Sequence, residues 1–482
     1  MASNVYSFLI RTEIAPAYLG ELLLFIYREY LVPLHRRFTN VRRWFENGRE
    51  VLAFTAVDMH GFWYVDIEVA FGNPIEVKMF PFGDVPKDVL SRLKDDLIIA
   101  VQLFEEKMRQ TTIYFAWVPE ARMVPEKTVD RRRKLISRIF LGNMLVFFMI
   151  FIIMSYVLFI TVTEVLGLPI EYYPLILVVL QFLTVLFSDK IVATMGDWTI
   201  TPSSPYVHIL QYHLSPEQFA FVKQNFGKER FLQMKKEIYD RTLSLGQPLT
   251  YEVARDVFHR HGLYIKPENL VIRTIDVYSI VKSVAEKFGI PIPKIMISNI
   301  IVPNAAATGP TPRLGLVLIT TGLLVQLDED EIYAVVGHEL SHVKRRDPLA
   351  LSILVNTEYL LRVYWLWNIL YFFGLFYFFL AISVIYFIAK FFEARADLES
   401  AINLGTPEIL ANALRKIGYR RIQMERSQGN WLGTWFGMNP HPPVSFRVKR
   451  LESIENLRKI RHPFLQSIRD CIEGLLEDIK RI

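Results

Sequence analysis

His338 and His342 stand four residues apart in the stretch His338-Glu339-Leu340-Ser341-His342. On a helix such positions share one face, so the two imidazoles can aim at a single point. Neutral imidazole is a good zinc ligand, and Glu339 lies where it can act on a water polarised by the metal. The pattern is the HExxH arrangement of metallopeptidases. With 10 histidines in 482 residues, chance yields it in about one such chain per hundred, so two merely solvated histidines are a poor account of it.

A catalytic zinc site needs a third protein ligand and one open position. Downstream lies Glu393-Ala394-Arg395-Ala396-Asp397. Glu393 can ligate, and Asp397, one helical turn on, can hydrogen-bond the outer nitrogen of a ligating histidine. Taken alone, that spacing also describes a solvated helix face.

The element that must hold the histidines is well marked. Asp328 reads as an N-cap with Glu331 as its capping-box partner. Acids at 329–331 and bases at 344–346 suit the two ends of a helix dipole, and Ile332, Val336, Leu340 and Val343 supply a core face. Pro348 disfavours helix at Asp347, which bounds the helix at about 18 residues.

Four segments in this order resemble the HtpX-type membrane zinc endopeptidases: PNAAATG (Pro303 to Gly309), HELSHVKRRD (His338 to Asp347), EARAD (Glu393 to Asp397) and HPPVSFR (His441 to Arg447). The type I CAAX prenyl endopeptidases are relatives in the same superfamily. The resemblance runs from about Tyr278 to Leu451 and leaves the first 135 residues and much of 196–270 outside it. It implies a mostly helical gluzincin-type domain with a small sheet, and one zinc held by His338, His342 and Glu393. An edge strand would hold extended substrate by backbone pairing, which is little selective for sequence. Asn304 and Ala305 match that segment, while Ala306 replaces a commoner bulkier residue. The resemblance also directs His441 and Arg447 toward the site, where a cationic or hydrogen-bonding group would stabilise an oxyanion. His462-Pro463 has no matching arginine and reads as structural.

Composition fits a membrane setting. Hydrophobic residues make up 52% of the chain, the net charge is +6, and one cysteine, Cys471, excludes an internal disulfide framework. Mean hydropathy is +0.24 and the pI is about 9.1. The basic residues cluster beside apolar runs, which argues for membrane topology rather than nucleic-acid binding. No signal peptide is expected, since the apolar run near Leu22 to Tyr27 is short and flanked by charges.

Residues 1–135 read as a soluble α/β accessory domain, with strands at 51–57, 62–70, 75–80 and 112–118 and helices near 15–36 and 86–109. Ile139 to Thr163 carries no charge, Tyr172 to Ser188 follows after a Gly-Leu-Pro turn, and together they predict a transmembrane hairpin over 139–190. Bases at 131–134 and 138, with none from 139 to 189, place both ends in the cytoplasm. Residues 191–348 are expected as the first part of a cytoplasmic catalytic domain, with a helix over Val277 to Phe288 and strands over Lys294 to Ile300 and Leu314 to Thr320. His259 and His261 point to different faces and should share no metal.

Between 349 and 389 the only charges are Glu358 and Arg362, four apart and able to pair away from lipid. His342 precedes this stretch and Glu393 follows it, yet both must reach one ion. The number of crossings is therefore even, which predicts a second hairpin turning near Asn368 to Gly374 and four crossings in all, with a re-entrant pair as the alternative for this stretch. Residues 390–482 complete the catalytic domain.

The expectation is a multi-pass plasma-membrane zinc endopeptidase with cytoplasmic N-terminal and catalytic domains. Its substrates would be protein or peptide, its surroundings lipid, and nucleic acid plays no part. Within the resemblance, the HtpX branch implies quality control of membrane or misfolded proteins, and the CAAX branch implies cleavage of a prenylated tail. A zinc-stabilised scaffold or sensor is the alternative of another class, but it needs a fourth protein ligand. A transporter lacks an internal repeat.

Overall fold

Alternation of apolar and polar side chains builds the N-terminal sheet. Strands β1 (Tyr6–Ile10), β2 (Phe38–Glu46), β3 (Arg49–Val57), β4 (Trp63–Ala70) and β5 (Ile75–Gly83) form an antiparallel sheet in the order β1-β5-β4-β3-β2. Val65, Ile67 and Val69 on β4 and Val77 and Met79 on β5 join Leu93, Leu97, Val101 and Phe104 of helix α1 (Lys87–Arg109) in one buried cluster. Strands β1 and β2 were not among those expected. The pairing of β2 slips between Thr39 and Arg42, and Asn40 has φ of 55°, so the alternation that marks a strand is broken there.

The computed structural model describes residues 5–58, 60–121, 123–124, 153–427, 431–437, 439–457 and 460–480. It divides into two compact units: Met1–Glu126 with Tyr206–Ile275 and Arg415–Arg420, and Lys127–Pro205 with Asp276–Leu414 and Arg421–Ile482. Residues 206–275, expected within the catalytic part 191–348, therefore belong with the N-terminal region. The cause is a pairing that no local pattern reveals. Strand β6 (Thr112–Trp117) lies antiparallel to β8 (Tyr206–His213), with Thr112 opposite His213, and β9 (Leu270–Asp276) completes that sheet. Phe115, Trp117, Leu210 and Tyr212 bury one face of it against Met234, Val257 and Phe258.

The second unit holds a four-stranded sheet in the order β11-β12-β10-β7, formed by β7 (Trp198–Ile200), β10 (Lys294–Ser298), β11 (Ala305–Thr308) and β12 (Leu316–Thr320). Strands β10 and β12 run parallel, while β11 is an antiparallel edge. Helix α4 spans Val277–Phe288, as its periodicity predicts, and is capped by Asp276, whose carboxylate accepts from Ser279 N at 2.8 Å.

The expectation of apolar crossing helices is met in part. Among the described residues, one helix, Phe376–Leu404, is long and apolar enough to cross a membrane, with 29 residues. Most of Ile139–Thr163 lies outside the described residues; Ile153–Val165 is a short apolar helix. The second run forms α2 (Tyr173–Leu186), the main part of a shorter apolar helical stretch over Ile170–Leu186. It is followed by α3 (Ser188–Ala193).

The 349–389 stretch folds back on itself. Helix α6 (Asp347–Tyr364) ends at Trp365, and α7 (Trp367–Leu404) is interrupted at Gly374, whose φ of 39° and ψ of −114° are not helical. The change of direction thus falls across 365–374, overlapping the predicted turn. Arg362 Nε donates to Glu358 Oε1 at 3.0 Å, and Tyr377 of α7 donates to the same oxygen, so this pair faces the partner helix. No break occurs near 389: α7 carries the apolar run and then Glu393 and Asp397 on one continuous helix.

Candidate active site

Helix α5 (Glu329–Arg345) begins at Asp328 with both bonds of a capping box. Glu331 N donates to Asp328 Oδ1 at 2.9 Å, and Asp328 N donates to Glu331 Oε2 at 3.1 Å. It ends at Arg346, whose φ of 58° is left-handed and turns the chain so that Asp347 opens α6.

Helix α7 packs on α5 closely enough to bring ligands from both to one point. At Gly337 a Cβ would meet Leu404 Cδ1 at 2.5 Å and Ser400 Oγ at 2.8 Å, so a larger residue would displace these two side chains of α7. Ser400 donates to Ala334 O at 2.9 Å, and Glu399 accepts from Ser341 Oγ and Arg345 Nε at 2.8 Å each. The register of Glu393 against the two histidines is set by these bonds.

His338 Nε2 and His342 Nε2 lie 3.3 Å apart. Glu393 Oε2 lies 3.4 Å from the first and Oε1 3.4 Å from the second. Among the described residues these three form the one cluster able to hold a metal ion.

The triangle fits zinc on two counts. Tetrahedral bonds of about 2.0–2.1 Å place neighbouring ligand atoms about 3.3 Å apart, which matches the observed edges. The outer nitrogens also face carboxylates: His342 Nδ1 lies 2.7 Å from Asp347 Oδ2, and His338 Nδ1 lies 2.9 Å from Asp397 Oδ1. Carboxylates there favour the Nδ1–H tautomers, leaving two Nε2 lone pairs and a carboxylate converging on one point. A cation relieves that convergence. The Asp397 contact is close but poorly aligned for a hydrogen bond, and His338 Nδ1 makes no other.

Electrostatics around the site follow from burial and these carboxylates. Burial alone would lower the His338 pKa, but Asp397 and Glu393 override it and raise it to about 10. A proton and a metal thus compete for the same nitrogens. Burial raises the Glu339 carboxyl above its ordinary value, with His338 and His342 offsetting part of the rise. Glu339 Oε2 accepts from Ala307 N at 2.9 Å, so the side chain stands against the edge strand.

Each residue singled out in the sequence has a definite place. Asn304, Ala305 and Ala306 lead into and form edge strand β11, with Ala305 opposite Ile319 and Ala306 opposite Leu318. The backbone of Asn304 is fastened to Thr320 through Asn304 N to Thr320 Oγ1 at 2.9 Å and Thr320 N to Asn304 O at 3.0 Å. His441 Nδ1 sits 2.6 Å from Glu393 Oε2. Arg447, on helix α8 (Val444–Glu452), is buried and grips Asp397 with two bonds, Nε to Oδ2 at 2.8 Å and Nη2 to Oδ1 at 2.6 Å. Two of its donors are thus engaged on a carboxylate.

Sequence reasoning missed the role of Asp347, treating it as a helix boundary. It accepts from both His342 Nδ1 and Arg395 Nη2, which ties the two helices beneath the histidine. Its position five residues after His342 was the available signal, but it becomes useful only once the left-handed Arg346 is known.

Residues 272–455 match the model of peptidase family M48. A protease HtpX homolog of Thermodesulfovibrio yellowstonii is 32% identical over 216 residues, covering 37% of this chain and 75% of that protein. The homolog of Caldanaerobacter subterraneus is 32% identical over 213 residues, covering 37% and 71%. That of Methanothermobacter thermautotrophicus is 35% identical over 161 residues, covering 31% and 62%. No solved structure matches.

Proposed function

The chain belongs to the HtpX-like metalloproteases of peptidase family M48, and from that premise we propose a membrane-anchored zinc endopeptidase acting on membrane or misfolded proteins from the cytoplasmic side. The observation that carries the reading is the triangle of His338, His342 and Glu393, with edges of 3.3 and 3.4 Å. His338, His342 and Glu393 would hold one zinc, oriented by Asp397 and Asp347. When bound, the metal supplies a Lewis-acid charge that brings the pKa of a coordinated water to about 7.

The chain's own groups do the rest. An extended substrate pairs along the outer edge of β11, beside Asn304 and Ala306, which brings its scissile carbonyl to Glu339. Glu339, raised by burial, accepts the proton of the attacking water and delivers it to the leaving amine. His441 and the Arg447–Asp397 pair hold Glu393 and His338 in place. The scaffold or sensor alternative is disfavoured by the ligand count, three rather than four among the described residues.

The apolar segment from Phe376 to Ala389 would lie in the bilayer, where Phe376, Phe379, Leu380 and Val384 are exposed on the helix surface. Glu393 follows Ala389 by four residues, a rise of about 6 Å. On this reading the site stands at the membrane surface.

The test is metal analysis with product mapping. Purified protein should hold one zinc per chain, lose it with His338→Ala or Glu393→Ala, and cleave internal bonds of an unfolded protein. Full zinc in Glu393→Ala would remove Glu393 from the ligand set, and release of C-terminal tripeptides alone would indicate the prenyl-tail activity.

A further inference from the structure

Helix α9 (Pro463–Lys480) presents two apolar stripes, and the packing within its unit accounts for one. Ile468, Cys471 and Leu475 join Phe387, Ile388, Phe391 and Trp435 in a shared core. The second stripe, Leu465, Ile472, Leu476 and Ile479, is 62, 42, 47 and 41% exposed. Its spacings of seven, four and three put the four side chains on one side of the helix. Arg469, Glu473 and Lys480 flank it on the polar side.

We propose that this second stripe lies in the interfacial layer of the lipid bilayer, with lipid as its partner, and so fixes the depth at which the site stands. The inference rests on the reading of α7 as a membrane helix and adds a second membrane contact to it. The argument is one of position along α7. The Phe464 ring stacks on Phe392 at 5.8 Å, and Cys471 Sγ is 3.9 Å from Lys390 O. Leu475 packs against the buried cluster of Phe391, Ala394, Trp435 and Cys471, as Phe387 and Ile388 do. The helix thus runs antiparallel to α7, and its C-terminal half flanks the last turn of the apolar segment. A bilayer around 376–389 consequently reaches Leu476 and Ile479.

The rotation of α9 is fixed as well. At Gly474 a Cβ would meet the Phe446 ring at 2.6 Å, so this face is pressed on α8. Arg450 of α8 donates to Asp470 Oδ2 at 2.6 Å, to Ser467 Oγ at 2.9 Å and to Ala394 O at 2.5 Å. The same arginine therefore joins α9 to the turn of α7 that carries Glu393. An apolar stripe at the rim of a charged helix, next to a membrane helix, is the pattern of an interfacial element.

The experiment uses full-length protein in vesicles of phosphatidylethanolamine and phosphatidylglycerol, carrying an environment-sensitive fluorophore on single introduced cysteines. The native Cys471 is fully buried and contributes no background. Labels go at Leu476→Cys, at Glu473→Cys on the charged side, and at Phe379→Cys in the apolar helix. Expected are blue-shifted emission and quenching by shallow brominated lipid at 476, quenching by deep brominated lipid at 379, and neither at 473. Quenching at 379 with water-like emission at 476 overturns this inference and leaves the membrane helix standing. Water-like emission at both overturns the two together. A blue shift at 476 that no lipid quenches and that dilution abolishes assigns the stripe to a second copy of the chain and contradicts the proposal.

Discussion

His441 Nδ1 lies 2.6 Å from Oε2 of Glu393, the carboxylate that closes the ligand triangle. The histidine therefore addresses a ligand side chain, and its expected effect is on the metal. His441→Ala should weaken zinc binding about 10–100-fold, as loss of a partner to a ligating carboxylate does, measured by competition with a chelator. Unchanged affinity with lost turnover would move His441 to the substrate side, where an oxyanion needs a donor.

Arg447 separates two roles. Its guanidinium holds buried Asp397 through two bonds, so Arg447→Ala leaves an unpaired buried carboxylate, at a cost of about 3–5 kcal/mol. A lower melting temperature and reduced zinc content are expected, with recovery of the melting temperature in the double variant Arg447→Met, Asp397→Asn. A fall confined to kcat with unmoved melting would instead assign Arg447 to charge stabilisation in the transition state.

The N-terminal unit should respond to acid through His213. Burial pushes this imidazole down to about 4, and its Nδ1 pairs with Thr112 Oγ1 at 2.7 Å. The folded state favours the neutral ring, so between about pH 6.5 and 4 the unfolded chain binds more protons. The contribution is fully present above about pH 6.5 and is lost as pH falls through the folded value, up to about 3 kcal/mol. Urea midpoints, read by hydrogen exchange at β6 and β8, should drop over that range in the wild type and flatten in His213→Gln. Parallel curves for the two proteins would exclude His213 as the cause.

Topology is testable at three exposed positions. Glu329 precedes the folded-back pair of helices, Glu408 follows it, and Phe372 lies in its turn, 78% exposed. Cysteines at 329 and 408 should label from one side of the membrane and one at 372 from the other. Labelling of 329 and 408 from opposite sides would disqualify Glu393, since it could not then share an ion with His338.

What could be read from the sequence was local. Four-residue spacing placed the histidines on one face, and the capping box fixed where α5 begins, because both depend on neighbours within a turn. The Glu358–Arg362 pair was legible for the same reason. Asp347 was not, since its contact with His342 depends on one left-handed residue, Arg346. The pairing of Thr112 with His213, 101 positions apart, left no local mark either, and with it went the true extent of the N-terminal unit. The crossings were legible in part: apolar content signalled lipid, and among the described residues Phe376–Leu404 has the length and composition of a crossing helix, while α2 at 14 residues and α6 at 18 are shorter.

The central claim is that Glu339 moves the proton while His338, His342 and Glu393 hold the metal. Glu339 stands against β11 through Ala307 N and takes no part in the ligand triangle. The direct measurement is zinc content and single-turnover peptide cleavage on the same preparation of Glu339→Gln. Expected is one zinc per chain with cleavage reduced by about two to four orders of magnitude. Near-normal cleavage at full zinc content would contradict the claim.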